Sequence, residues 1–289
     1  MGSTDISSSI KENVMHAVFL LTACASIFCV ALICLFIFVN GVPAIAEIGP
    51  LKFLLGTQWR PGRNLFGIMP FIVGSIYVTA GAILLGVPLG ILTATFMARF
   101  CPGRLYAFLK PAISLMAGIP SVIYGFFGVV VIVPVIREIF PESGKSMLAA
   151  AALLSLMILP TIVSVSEAAL RAVPSSYYEG ALALGATHER AVFFIILPAA
   201  KSGVMASIVL GIGRAIGETM AVIMVAGNQP LIPRSPLDGV RTLTSNIVME
   251  MAYASDLHRE ALVATAVVLL VFVLIINVLL SLIKRRANV

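Results

Sequence analysis

Long apolar runs separated by short charged segments are the main pattern of this 289-residue chain. A hydrocarbon core about 30 Å thick is crossed by roughly 20 residues of helix, so runs of that length with almost no charge predict membrane spans. Six runs qualify, at about 18–39, 70–98, 111–136, 146–166, 202–226 and 261–283. The pattern predicts an all-α polytopic membrane protein with six transmembrane helices in a single domain, 1–289.

The apolar runs also contain sites where a helix is expected to begin or break. The charge-free stretch 65–98 is longer than one crossing needs, so part of it must break or lie along the interface. Pro70 is a predicted helix start and Pro88 a predicted kink, because proline lacks a backbone donor. The sequence Gly118-Ile119-Pro120-Ser121 is predicted to interrupt the third run.

Composition and charge exclude most other classes of protein. Hydrophobic residues make up 60% of the chain and charged residues 11%, against about 25% charged in ordinary globular domains. No independent catalytic or nucleic-acid-binding domain fits. The net charge of +6 comes from cations beside the spans, which are interpreted as orientation signals. The loop 99–110 and the terminal Lys284-Arg285-Arg286 predict that both termini are cytoplasmic.

Motifs for chemistry are absent or incomplete. Gly144-Lys145-Ser146 lacks the first glycine of a P-loop, and Gly211 to Gly217 has the wrong spacing for a dinucleotide fingerprint. With three histidines and no zinc-protease motif, the sequence predicts a non-enzymatic chain with no catalytic residue, metal site or cofactor.

The longest predicted cytoplasmic loop, about 167–201, contains a short amphipathic pattern. Good helix formers follow Ser175 and Ser176, which are predicted to cap the helix, and Gly185 is predicted to end it. Small residues would let another protein approach closely, and Tyr177 and Tyr178 offer contact area. The alternative is a helix that merely connects two spans.

From Glu179 to Pro198 the loop reads E-G-A-x3-G-x9-I-x-L-P. This pattern resembles the EAA loop of ABC importer permeases, the helix that docks into a cleft of the cytoplasmic ATPase subunit. Further motifs beginning at Gln58, Phe66, Ile119 and Gly213 resemble the PstC family of phosphate-specific permeases, over roughly residues 15–285.

The resemblance implies a type I ABC importer permease architecture in a bacterial cytoplasmic (inner) membrane. It implies a PstA-like second permease subunit, two PstB-like ATPase subunits that bind ATP and Mg²⁺, and a PstS-like extracytoplasmic phosphate-binding protein. Membrane lipid is an expected partner and nucleic acid is not. The residues it assigns to ATPase coupling are Tyr178, Glu179, Gly180, Ala181 and Gly185. The candidate substrate-binding residues are Arg214, Glu218 and Ser121.

Arg214 and Glu218 are the two charged residues inside the predicted spans. Each costs about 2.5–3.5 kcal/mol near the membrane centre, so each needs a partner. Their i,i+4 spacing allows an ion pair. Three interpretations stay open: a closed structural pair, an oxyanion site at Arg214 on a water-filled path, or a proton relay at Glu218. The same span carries a small-residue stripe of Gly203, Ser207 and Gly211, which is typical of close helix packing.

These features predict the permease subunit of an ATP-driven phosphate importer. The alternatives are a proton-coupled secondary anion carrier, a permease for another oxyanion such as sulfate, and an assembly subunit that does not translocate. Physical chemistry alone does not separate phosphate from sulfate or arsenate, because an arginine can hold each of them.

Overall fold

A computed structural model describes the backbone of residues 3–140 and 144–287, and their side chains except at 3–11, 13, 280 and 283–287. The side chains of Lys284, Arg285 and Arg286, used above for orientation, therefore lie outside the described residues.

In chain order the helices are α1 Ser3–Ile48, α2 Pro50–Leu55, α3 Met69–Thr95, α4 Gly103–Gly118, α5 Ser121–Phe127, α6 Val133–Ile139, α7 Met147–Arg171, α8 Ser175–Ala183, α9 His188–Ala191, α10 Leu197–Ala199, α11 Lys201–Gly217, α12 Met220–Val225, α13 Leu243–Glu250 and α14 Asp256–Ala287. Three π-helical segments, Phe96–Phe100, Gly128–Ile132 and Val192–Ile196, continue α3, α5 and α9.

Several of these helices can cross a membrane. Within the described ranges, five are long and apolar enough: Val14–Ile48, Met69–Phe100, Ser121–Ile139, Met147–Arg171 and Asp256–Leu279. A sixth crossing results if His188–Ala199 and Lys201–Gly217, which meet at 69°, form one bent span. The predicted all-α polytopic fold is confirmed, while the assignment of 1–289 to one domain stays a prediction.

The predicted interruption of the third run is confirmed, because α4 ends at Gly118 and a new helix begins at Ser121 after Pro120, which cannot donate a backbone hydrogen bond. Two other predicted segments differ from the observed helices. The fifth run, 202–226, is not one helix, since α11 ends at Gly217 and α12 begins at Met220. Helix α7 continues to Arg171, so the loop predicted from residue 167 begins later.

A small β-hairpin lies between α2 and α3. Strand β1, Trp59–Arg60, pairs antiparallel with β2, Leu65–Phe66, around a 3₁₀ turn at Pro61–Arg63. The following helix starts at Met69 with proline in its first turn, which confirms the predicted start at Pro70. This side of the molecule is called the hairpin end, and the opposite side, at α8, the loop end.

Glu250 joins the hairpin to the last two helices. Its carboxylate is 7% exposed and accepts hydrogen bonds from Trp59 Nε1 at 2.7 Å and Arg241 Nη1 at 2.6 Å. His258 Nε2 lies 2.9 Å from Oε2, the oxygen that also accepts from Trp59. The buried charge is thus fully partnered, as burial of a carboxylate requires.

The close contact between α3 and α7 forms the centre of the fold. A Cβ added at Gly86 would lie 2.8 Å from the Ile158 side chain, and one at Gly90 would lie 2.7 Å from Ile162. The glycines therefore let the two backbones approach more closely than larger residues would. The apolar core on either side of this contact contains Val78, Ala82, Leu153, Leu154, Met157 and Ile158.

Helix α11 packs against another face of α7 through the predicted small-residue stripe. A Cβ at Gly203 would lie 2.3 Å from Ala169 Cβ, and one at Gly211 would lie 3.1 Å from Ile162. The buried hydroxyls of Ser207 and Ser166 are 2.7 Å apart. The prediction that this stripe mediates close packing is confirmed.

Gly203→Ala should destabilise the folded chain by about 1–3 kcal/mol, because the new methyl group would overlap Ala169, which cannot rotate away. Gly213→Ala is the matched control on the same helix: its Cβ would meet nothing within 4 Å, and alanine favours helix over glycine. Thermal unfolding in detergent measures both variants. Equal midpoints would contradict the packing role of Gly203.

Candidate functional site

Arg214 is a half-buried cation on α11 with few partners in this chain. Its Nη1 donates one long hydrogen bond, 3.5 Å, to Thr161 Oγ1 on α7. No carboxylate among the described residues forms an ion pair with it. Added Cβ atoms at Gly213 and Gly217, beside it on the helix, would meet nothing within 4 Å. The guanidinium therefore keeps most of its donors without a partner among the described residues.

Glu218 has a different role from the one predicted by its spacing. It is extended (φ −70°, ψ 131°) because α11 has already ended, so the i,i+4 geometry of a continuous helix does not apply. Its Oε1 accepts a hydrogen bond from the backbone N–H of Ala221 at 3.1 Å, in the first turn of α12. Its carbonyl oxygen accepts from Thr244 Oγ1 at 3.2 Å. Glu218 thus stabilises the break between two helices.

Arg214 and Glu218 therefore do not form the structural ion pair that was one of the three interpretations. A carboxylate bound to a backbone N–H at a helix start is stabilised as an anion. That position also gives no support to a proton relay. Of the three interpretations, the geometry leaves Arg214 as a cation available to bind an anion.

Ser121 is the first residue of α5, directly after the break at Ile119 and Pro120. Its hydroxyl makes no side-chain hydrogen bond within the described part of the chain, and the structure does not bring it into contact with Arg214. Tyr124, one turn later, donates its hydroxyl to the Met116 carbonyl at 2.9 Å and so spans the break. Tyr124 also packs in the same apolar core as Ala215, the residue after Arg214.

The predicted surface helix of the cytoplasmic loop is present as α8, Ser175–Ala183. Gly185 has φ +84° and ends it, as predicted. The predicted serine caps are wrong: the N-cap is Pro174, no side chain caps the helix, and both serines lie inside it. Pro174, whose ring fixes φ, occupies the N-cap position, so neither serine stands where its hydroxyl could cap the helix.

Four of the five residues assigned to coupling lie on α8, and Gly185 lies just beyond its end. They divide between a side that packs against the protein and an exposed side. Ala181 is buried, and the Tyr178 hydroxyl lies 2.7 Å from His188 Nδ1, so these two attach the helix to the protein. Glu179, Gly180 and Gly185 are exposed, and a Cβ at either glycine would meet nothing within 4 Å. The exposed face is therefore the one available to a partner.

Sequence reasoning missed a charged cluster beside this helix. Glu167, on α7, is 2% exposed and accepts hydrogen bonds from Tyr106, Lys110 and Arg171. The cations had been interpreted only as orientation signals, and Glu167 was placed in a loop. One signal was available: a single carboxylate at the end of an apolar run, with cations in each neighbouring segment.

Comparison with protein families assigns the chain. Residues 86–289 match the model of the binding-protein-dependent transport system inner membrane component. The chain belongs to this family. It is therefore an ABC importer permease, a transport subunit rather than an enzyme, and a multi-pass inner-membrane protein.

Individual relatives agree. The chain is 39% identical over 280 residues to the probable ABC transporter permease protein YqgH of Bacillus subtilis, with 93% of this chain and 90% of that protein covered. It is 32% identical over 292 residues to the phosphate transport system permease protein PstC of Mesorhizobium japonicum, covering 93% and 88%. The predicted resemblance to PstC proteins is confirmed.

Solved structures share the fold. A chain of a bacterial alginate ABC transporter, crystallised with a pentasaccharide-bound periplasmic protein, superimposes with a TM-score of 0.66 at 16% identity, covering 96% of both chains. A chain of the inward-facing MetNI methionine ABC transporter gives 0.57 at 20% identity, covering 76% of this chain and 94% of that one. The type I importer architecture is confirmed.

The role of Glu218 can be tested by separating its charge from its hydrogen bond. Glu218→Gln keeps an oxygen that accepts from Ala221, so it should retain near-normal stability. Glu218→Ala removes the acceptor and should cost about 0.5–2 kcal/mol. Thermal unfolding of both variants is the measurement. If glutamine proved as destabilising as alanine, charge pairing rather than capping would be the role of this residue.

Proposed function

We propose that this chain is the transmembrane permease subunit of an ATP-driven phosphate importer, and that it forms the translocation path with a homologous permease subunit. The observation that carries the proposal is Arg214, a half-buried guanidinium in a membrane span with no carboxylate partner in the described chain. An unpaired charge in a span is costly, so it is expected to have a functional partner.

Arginine suits an oxyanion because its planar fork of donors can make two parallel hydrogen bonds to phosphate oxygens. Among the described residues only Thr161 accepts from one of those donors, at 3.5 Å. The open space beside Gly213 and Gly217 would admit an anion to the guanidinium. The kinship with phosphate permeases supports phosphate as that anion.

The proposed assembly has a PstA-like permease, two PstB-like ATPases that bind ATP and Mg²⁺, and a PstS-like phosphate-binding protein outside. The exposed face of α8, with Glu179, Gly180 and Gly185, would dock against an ATPase. In the proposed assembly the loop end and both termini would lie on the cytoplasmic side. A proton-coupled carrier is less well supported, because Glu218 is engaged as a helix cap.

The direct test is uptake of radiolabelled phosphate into vesicles that contain this chain and its proposed partners. Uptake should require ATP, be abolished without the ATPase subunits, and resist competition by sulfate. Uptake driven by a pH gradient without ATPases would favour the carrier, and displacement of phosphate by equimolar sulfate would favour a broader oxyanion permease.

In this assay Arg214→Lys should reduce uptake by roughly 10- to 100-fold although it keeps the charge. The reason is that loss of a hydrogen bond to a charged group costs about 1.5–3 kcal/mol, and each 1.4 kcal/mol corresponds to about a factor of ten. Arg214→Gln should abolish uptake, and adding Glu218→Gln should not restore it. Arg137→Gln, at an exposed arginine on α6, is the control. Recovery in the double variant would contradict the ligand role.

Coupling is tested at the exposed face of α8. Glu179→Lys and Gly185→Asp should each abolish ATP-dependent uptake while the chain stays inserted, because wrong charge or bulk disrupts a closely packed contact. Glu138→Lys makes the same charge change at another exposed glutamate, on α6, and should transport normally. Co-purification of the ATPases and uptake are the measurements. Normal transport by either α8 variant would remove this surface from the proposal.

A further inference from the structure

Glu167 is the most buried carboxylate in the described part of the chain, with 2% of its surface exposed. Its Oε1 accepts from the Tyr106 hydroxyl at 2.9 Å and from Arg171 Nε, and its Oε2 accepts from Lys110 Nζ. Tyr106 and Lys110 belong to α4, whereas Arg171 is the last residue of α7. One buried charge therefore holds the ends of two helices together.

The end of α3 is attached to the same cluster. Arg171 Nη2 donates to the Met97 carbonyl at 2.9 Å, and Arg99 Nη2 donates to the Leu170 carbonyl at 2.6 Å. The Arg171 guanidinium also stacks 4.4 Å from the centre of the Tyr106 ring. Three helix ends thus share one network of charge-assisted hydrogen bonds at the loop end.

This network is directly connected to α8. Arg171 ends α7, and α8 begins at Ser175. The intervening segment has little slack: Val173 is buried against the core at this end, and Pro174 has a fixed φ. A displacement of α8 therefore pulls on Arg171 and, through it, on Glu167.

The far end of α4 lies near Arg214. Helix α4 ends at Gly118, and its Met116 carbonyl accepts the hydrogen bond from Tyr124, which packs in the same apolar core as Ala215, the residue after Arg214. Helix α4 is therefore a physical connection between the charged cluster and the proposed substrate site.

We propose that Glu167 is a positioning residue for transport, which makes α4 follow the movement of α8. This inference rests on the proposed function, because it requires ATPases that move α8. A buried ion pair can often be replaced by neutral residues without loss of stability. Stability alone therefore does not explain the charges around Glu167, whereas a link between helices that move separately does. Without the charge, α8 and α7 would move while α4 stayed behind.

The test is the number of phosphate ions taken up per ATP hydrolysed by the reconstituted complex. Glu167→Gln keeps an acceptor for Tyr106 but loses both ion pairs, and should lower this ratio about tenfold, within the usual range of coupling between sites, while ATP hydrolysis continues. Glu250→Gln is the matched control: it makes the same change at a buried, ion-paired carboxylate at the hairpin end and should leave the ratio unchanged. An unchanged ratio in Glu167→Gln, or an equal fall in both variants, would overturn the proposal.

A second variant covers failure of Glu167→Gln to assemble. Lys110→Gln removes one ion pair at a position 38% exposed and leaves Arg171 in place. It should lower the ratio about threefold, a partial loss of coupling. No change in the ratio with Lys110→Gln would overturn the link to α4.

A readout that does not depend on substrate separates this inference from the phosphate proposal. An Ala117→Cys probe near the exposed end of α4, in a chain whose four cysteines are replaced by serine, should change its thiol labelling rate when the ATPases are trapped with vanadate. Glu167→Gln should abolish that change, and a retained change would overturn the inference.

If the probe responds but the unaltered complex takes up no phosphate, the phosphate assignment fails and the coupling role of Glu167 stands. No response in the unaltered complex would contradict coupling to ATPases itself.

Discussion

The close packing of α3 against α7 is the constraint on which the other contacts of this chain depend. Gly86 and Gly90 bring the α3 backbone against Ile158 and Ile162, and Ile162 also receives Gly211 of α11. In a membrane such packing, rather than exclusion of water, holds helices together. Because α7 has partners on two faces, its polar residues Thr161 and Glu167 are held in fixed positions relative to α11 and α4.

Breaks in the spans explain where the remaining polar groups lie. A membrane interior offers little water, so a broken helix must satisfy its free backbone groups within the protein. The Glu218 carboxylate accepts from the N–H of Ala221, and the Thr244 hydroxyl donates to the Glu218 carbonyl. The Tyr124 hydroxyl donates to the Met116 carbonyl. Since the Glu218 carboxylate is used in this way, Arg214 has no ion-pair partner among the carboxylates that the structure describes.

Features that depend on local sequence were predictable. The apolar runs gave the long helices, Pro70 marked a helix start, and Gly185 marked a helix end because it can adopt positive φ. The i,i+4 spacing of Arg214 and Glu218 left an ion pair open as one interpretation, but that geometry requires a helix that continues past Gly217, and α11 ends there. The small-residue stripe was found because it depends only on the helical repeat.

Contacts between distant segments could not be read from such patterns. Trp59 and Glu250 are 191 positions apart, and nothing in either neighbourhood indicates the other.

The position of Glu167 on α7 explains why one rigid helix is not enough for coupling. Six residues separate Thr161 from Glu167, about 9 Å along a helix, so α7 alone would carry the substrate-site and loop-end groups as one body. Opening a path requires that helices move relative to each other. The cluster around Glu167 is where α7, α4 and the end of α3 meet, and its Arg171 lies four positions before Ser175, where α8 begins. In the proposed mechanism, a force applied at α8 would be divided among these helices at this point.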